Sequence, residues 1–86
     1  MKGQKRMASS ILSNSHVGSR IRHDVGERIR TIRLEKGLTQ EALALEAGIS
    51  RNVLIEVEHG RIGLLYERLF DIAAVLDVAV SSLIDG

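Results

Sequence analysis

GLTQEALALEAGISRNVLIEVEHG, residues 37–60, decides the reading of this chain. Thr39 is a good N-cap for a short helix from Gln40 to Ala47, with Leu43 and Ala44 facing inward and Gly48 closing it. Ser50 then caps a second short helix whose apolar positions are Val53, Leu54 and Val57, and Gly60 ends it. Helices of about two turns are too short to stand alone in water, so helices on either side must hold this pair at a fixed angle.

Both neighbours are legible. Upstream, Ile21, Val25, Ile29 and Ile32 recur at helical spacing, and Gly37 ends that helix just after Lys36. Its start has two candidates: Asp24, with Glu27 three residues on as a capping box, and Ser19. Downstream, Leu69, Ile72, Ala73 and Leu76 form the apolar stripe of a helix from about Tyr66 to Leu76. Ser81 is expected to cap a last turn holding Leu83 and Ile84. The expectation is an all-α domain of five helices, with residues 19–86 folded and residues 1–18 a flexible basic arm.

Composition agrees with that reading. The 86 residues allow one small domain with a thin core. Aromatics are 2% of the chain against 44% apolar residues, so the core must be aliphatic; proline is absent, which favours helix. Without cysteine, disulfides and thiolate zinc sites are excluded, and His16, His23 and His59 are too scattered for a metal cage. No catalytic constellation is present, so neither an enzyme nor a cofactor is expected. No apolar run approaches a membrane span, and the basic N-terminus lacks a secretory pattern, so a cytoplasmic location is expected. The net charge of +1 conceals an asymmetry: residues 1–36 carry nine Lys/Arg and three Asp/Glu, residues 37–86 three and eight. Such separation points to an anionic partner for the basic half.

The stretch resembles the helix-turn-helix domain of phage repressor and Cro type, the Xre family. Eleven residues carry the resemblance in register: Arg33, Gly37, Leu38, Thr39, Gln40, Leu43, Ala44, Gly48, Ser50, Glu58 and Gly60. It continues through Leu69, Ile72, Ala73, Leu76, Val78 and Leu83 and covers roughly residues 21–84. One departure is the stretch Arg61-Ile62-Gly63-Leu64-Leu65, where many members open the fourth helix with Pro. In this it is similar to the controller proteins of restriction–modification systems.

The resemblance implies a sequence-specific regulator of transcription that binds double-stranded DNA, with the second short helix in the major groove and the preceding one across the backbone. Arg51 and Asn52 would present bidentate donors and acceptors to guanine and adenine, and Glu56, one turn on, would accept from cytosine. Gln40, Ser50 and Arg61 are the expected phosphate contacts. In relatives an Arg at the position of Arg33 pairs with a Glu at the position of Glu58, which implies a structural ion pair here. The arm's Lys2, Lys5 and Arg6, with Arg20 and Arg22, would follow the phosphates or remain a solvated tail.

One recognition helix reads too few base pairs to find a site, so a homodimer on an inverted repeat is expected. Leu64, Leu65, Leu83 and Ile84 are its candidate interface, on a C-terminal dimerisation helix and the loop before the fourth helix. A chain ending at Gly86 is not expected to carry a small-molecule ligand domain. The alternative is a protein-interaction module on the same fold, a bridging factor or antitoxin-type partner. An apolar or acidic face over residues 50–56 would favour it, whereas Arg51, Asn52 and Glu56 favour DNA.

Overall fold

The computed structural model describes the backbone of residues 2–85 and the side chains of residues 17–85. The chain forms α1 (Lys2–Glu35), α2 (Gln40–Ala47), α3 (Arg51–Glu58), α4 (Tyr66–Leu76) and α5 (Val80–Ile84), with no strand among the described residues.

The sequence-based boundaries hold for the central pair. Thr39 Oγ1 accepts from Ala42 N at 3.0 Å, and Ser50 Oγ from Val53 N at 3.1 Å, so each short helix has one of its free N–H groups satisfied by its cap. Gly48 adopts the left-handed conformation at φ 75° and donates its N–H to the last carbonyls of α2, which turns the chain sharply into α3.

Two boundaries differ. The first helix runs through Ser19 and Asp24 without a break, so neither residue opens it, and it includes the backbone of residues 2–18. Nothing between Lys2 and Asp24 forbids helix, since no proline is present. The side chains of Lys2, Lys5 and Arg6 lie outside the described residues. The last helix starts at Val80, with Ala79 rather than Ser81 at the cap position and no side-chain cap bond. Asp77, in the left-handed region at φ 58°, ends α4, and Val78 N donates to Ala73 O at 3.0 Å. The chain is thereby turned early enough for α5 to begin one residue before Ser81.

The core is aliphatic. Ile29, Leu43, Leu54, Ile72, Leu76 and Leu83 are fully buried, one or two from each helix, so all five elements share a single cluster. Leu83 therefore leaves the expected dimer interface: the chain itself consumes its side chain. Its side chain is fully enclosed in the cluster that it shares with Ile29, Leu43, Leu54, Ile72 and Leu76. Arg28 Nη1 holds the end of α5 against α1 by donating to Ile84 O at 2.6 Å.

The first helix and α3 approach unusually closely. Gly26 is buried, and a Cβ there would overlap the Val57 carbonyl oxygen and lie 3.0 Å from Glu58 O. Gly60, at φ 74°, presses its backbone against α1 from the other side, where a Cβ would come 2.7 Å from His23 Cα. Two missing side chains let α1 sit directly on the end of α3, which fixes the tilt of that helix.

Candidate nucleic-acid interface

The two ends of α3 have opposite characters. At its N-terminus, Arg51 and Asn52 are exposed, beyond the Ser50 cap and at the positive end of the helix dipole. Arg51 borders a shallow depression with Glu41, Ala42 and Ile49, so it stands at the seam between α2 and α3. Val53, Ile55 and Glu56 are half-buried and Leu54, Val57 and Glu58 buried, so one face of α3 turns into the core and Arg51 and Asn52 stand on the solvent side of its first turn.

The C-terminus is locked. Arg33 Nε donates to Glu58 Oε2 at 2.7 Å and Arg33 Nη2 to Glu58 Oε1 at 3.0 Å, a bidentate pair with both residues buried. Arg33 Nη1 also donates to Leu38 O at 2.9 Å, and Gln40 Nε2 to Glu58 Oε1 at 3.1 Å. Four groups thus tie the end of α3 to α1, to the α1–α2 turn and to the start of α2. The carboxylate is fully served, which a buried charge requires.

Gln40 and Arg61, expected at phosphates, and Glu56, expected at a base, all make contacts within the chain. Gln40 is half-buried and spends one of its two amide N–H groups on Glu58. Arg61 Nη1 donates to Glu56 Oε2 at 2.6 Å, so a candidate base reader and a candidate phosphate contact neutralise each other at the surface. Ser50 Oγ is occupied as a cap. Arg22 is not an extended arm residue but half-buried, its Nη2 donating to Ser19 Oγ at 3.2 Å. His59 is exposed, its Nδ1 2.8 Å from Ile55 O, and His23 pairs with Glu27 at 3.5 Å. Of the remaining candidate interface residues, Leu65 is 70% and Ile84 36% exposed, while Leu64 is half-buried.

Sequence reasoning missed the Gln40 link, the Arg28 clasp and Gly26. The Arg28 clasp had no readable signal, because its acceptor is a backbone carbonyl 56 residues away. Gly26 had one: a glycine inside an otherwise strong helical stripe marks a close approach of backbones. No cluster of metal-ligating side chains occurs among the described residues. No helix there is long and apolar enough to cross a membrane.

A pair of short capped helices joined by a left-handed glycine, the second offering a polar N-terminus and clamped at its other end, defines a helix-turn-helix. The chain belongs to the helix-turn-helix family (HTH_3) of transcription regulators, whose model matches residues 29–83. It is 38% identical over 60 residues to the immunity repressor protein of Bacillus phage phi105. That match takes in 70% of this chain but only 42% of the repressor, so the chain spans less than half the length of that relative. Among solved structures it is similar to the restriction–modification controller protein C.AhdI from Aeromonas hydrophila, with TM-score 0.70 and 32% identity over 72% of this chain and 94% of that one. The clp gene regulator ClgR from Corynebacterium glutamicum matches with TM-score 0.74 and 29% identity over 76% of this chain and 69% of that one.

Proposed function

We propose that this domain represses transcription by binding double-stranded DNA, with the first turn of α3 in the major groove and two copies on an inverted repeat. The observation that carries the reading is the exposure of Arg51 and Asn52 on a helix whose far end is held by Arg33 and Gln40. A reader of base edges needs free side chains on a rigid mount, because a bidentate contact tolerates little positional slack. The Arg-Asn pair also favours DNA over a protein partner at this face, where an apolar or acidic surface would be expected instead.

Arg51 and Asn52 are the base readers in this proposal. Arg61 reaches phosphate by exchanging its bond to Glu56, an exposed pair worth under about 1 kcal/mol and easily given up. Glu56 then serves as a partner that parks Arg61 rather than as a base contact. The backbone at the start of α2, beside Gln40, meets the phosphates where α2 crosses them. The arm of residues 1–18 adds sequence-independent attraction, and the exposed Leu65 and Ile84 form part of the contact between copies.

Binding-site selection from random duplex DNA tests the reading. An inverted repeat should emerge, and Arg51→Ala should lose about 1–3 kcal/mol at that site and relax preference at one base position per half-site. Selection that enriches no sequence, or Arg51→Ala binding as the parent does, would overturn it.

A further inference from the structure

We propose that the outer face of α2 docks on the outer face of α1 in a second copy of this chain. Leu45 is 81% exposed, more than any other large apolar side chain among the described residues. It stands on α2 one turn after Glu41, with Glu46 beside it, and all three are exposed while Leu43, Ala44 and Ala47 face the core. Neither glutamate makes an ion pair or a side-chain hydrogen bond among the described residues. The short helix is thus apolar on two sides, and the fold uses only one of them.

The charges restrict the occupant. Two unpaired carboxylates beside a leucine repel DNA phosphates and anionic lipid alike, so this surface suits a cation next to an aliphatic group. The chain itself presents that combination on α1. Arg30 is exposed and makes no ion pair or side-chain hydrogen bond, and Leu34, one turn on along the same face, is 52% exposed. Of the acidic residues nearby, Glu27 is engaged by His23 at 3.5 Å, and Glu35 points about 100° round the helix from Leu34.

The two faces carry the same pattern with opposite charge. Arg30 precedes Leu34 by four residues, as Glu41 precedes Leu45. Two helices laid parallel therefore bring Arg30 against Glu41 and Leu34 against Leu45. An exposed ion pair alone holds little, but two leucines leaving water beside it add hydrophobic attraction. The contact joins unlike surfaces and uses neither Arg51 and Asn52 nor Leu65 and Ile84. On the DNA-binding reading, it links copies that adjacent sites hold side by side, where their effective concentration is high.

The test is methyl NMR of the full chain without DNA, followed against protein concentration. The Leu34 and Leu45 methyls should shift together and saturate with a Kd below about 1 mM, the range of a small contact, while those of buried Leu43 stay fixed. The Arg30→Glu protein offers carboxylates on both faces and the Glu41→Arg protein cations on both, so each alone should associate at least about tenfold more weakly. An equal mixture of the two should regain the parent's affinity, because every contact between unlike proteins then pairs opposite charges. The Leu43 methyls report whether each variant is folded. The proposal is overturned if the parent's Leu34 and Leu45 methyls do not shift, if either variant alone associates as the parent does, or if the mixture regains nothing. No arm of the test involves DNA, so failure here and failure of the DNA-binding proposal are separable.

Discussion

The same substitution at two glycines of one helix should have opposite signs. Gly18 and Gly26 both lie inside α1, and alanine is favoured over glycine in a helix by about 1 kcal/mol. At Gly18 an added Cβ would meet, among the described residues, Arg22 Nη1 alone, at 3.4 Å, the far end of a flexible side chain. Gly18→Ala should therefore stabilise by roughly 0.5–1 kcal/mol. At Gly26 the Cβ would overlap Val57 O and press on the Glu58 carbonyl, at 3.0 Å to its oxygen and 3.1 Å to its carbon. These are backbone atoms in a helix end clamped by Arg33, so they cannot swing aside. Overpacking of this kind costs up to about 3 kcal/mol; after the helix gain, a net loss of about 2 kcal/mol remains. In a domain of this size that lowers Tm by roughly 8–16 °C. Urea denaturation followed by far-UV circular dichroism gives both values, with an unchanged m confirming that stability alone has moved. A Gly26→Ala variant as stable as the parent would refute the close approach of α1 to α3.

Other consequences are equally direct. Arg33→Met strands the Glu58 carboxylate and should cost about 3–5 kcal/mol in the same assay, whereas adding Glu58→Leu should recover most of the loss. Deleting residues 1–18, if their cations touch phosphate, should make the slope of log affinity against log salt shallower by roughly 0.9 for each phosphate no longer neutralised, with an unchanged slope indicating a solvated tail. The parent should sediment as a dimer at tens of micromolar and Leu65→Asp as a monomer; a parent monomeric without DNA would leave only dimerisation on the operator.

The helix-turn-helix was legible because its punctuation is local. Thr39, Gly48 and Ser50 act on groups within four residues of themselves, so their spacing in the sequence carries the geometry. The stripe residues Ile29, Ile72 and Leu76 were legible through their period, and each is fully buried. Leu83 was misassigned for a reason that periodicity cannot supply. Whether a terminal aliphatic residue faces a partner or its own core depends on where the short turn after Asp77 aims it, and that turn depends on a left-handed non-glycine residue. The polar side chains were least legible. Gln40, Glu56 and Arg61 stand at sequence positions that suit DNA contacts, yet each has a partner chosen by three-dimensional proximity.

That partnering bears on how the surface distinguishes specific from general contacts. Arg33 is spent on Glu58, Arg28 on the end of α5, Arg68 on Asp71 at 3.0 Å, and Arg61 on Glu56. Among the described residues, Arg20, Arg30 and Arg51 make neither an ion pair nor a side-chain hydrogen bond, and of these three Arg51 alone lies on α3. A guanidinium already bonded to a carboxylate must give up that bond before it can read a base, and the exchange subtracts from any discrimination it could provide. A free guanidinium on a capped helix gives up only water. In the proposed mode of binding, specificity would therefore rest on the first turn of α3, with Arg51 foremost and Asn52 beside it. In the same proposal Arg61, paired with Glu56, would serve a contact where charge matters and geometry does not, and a phosphate is such a contact.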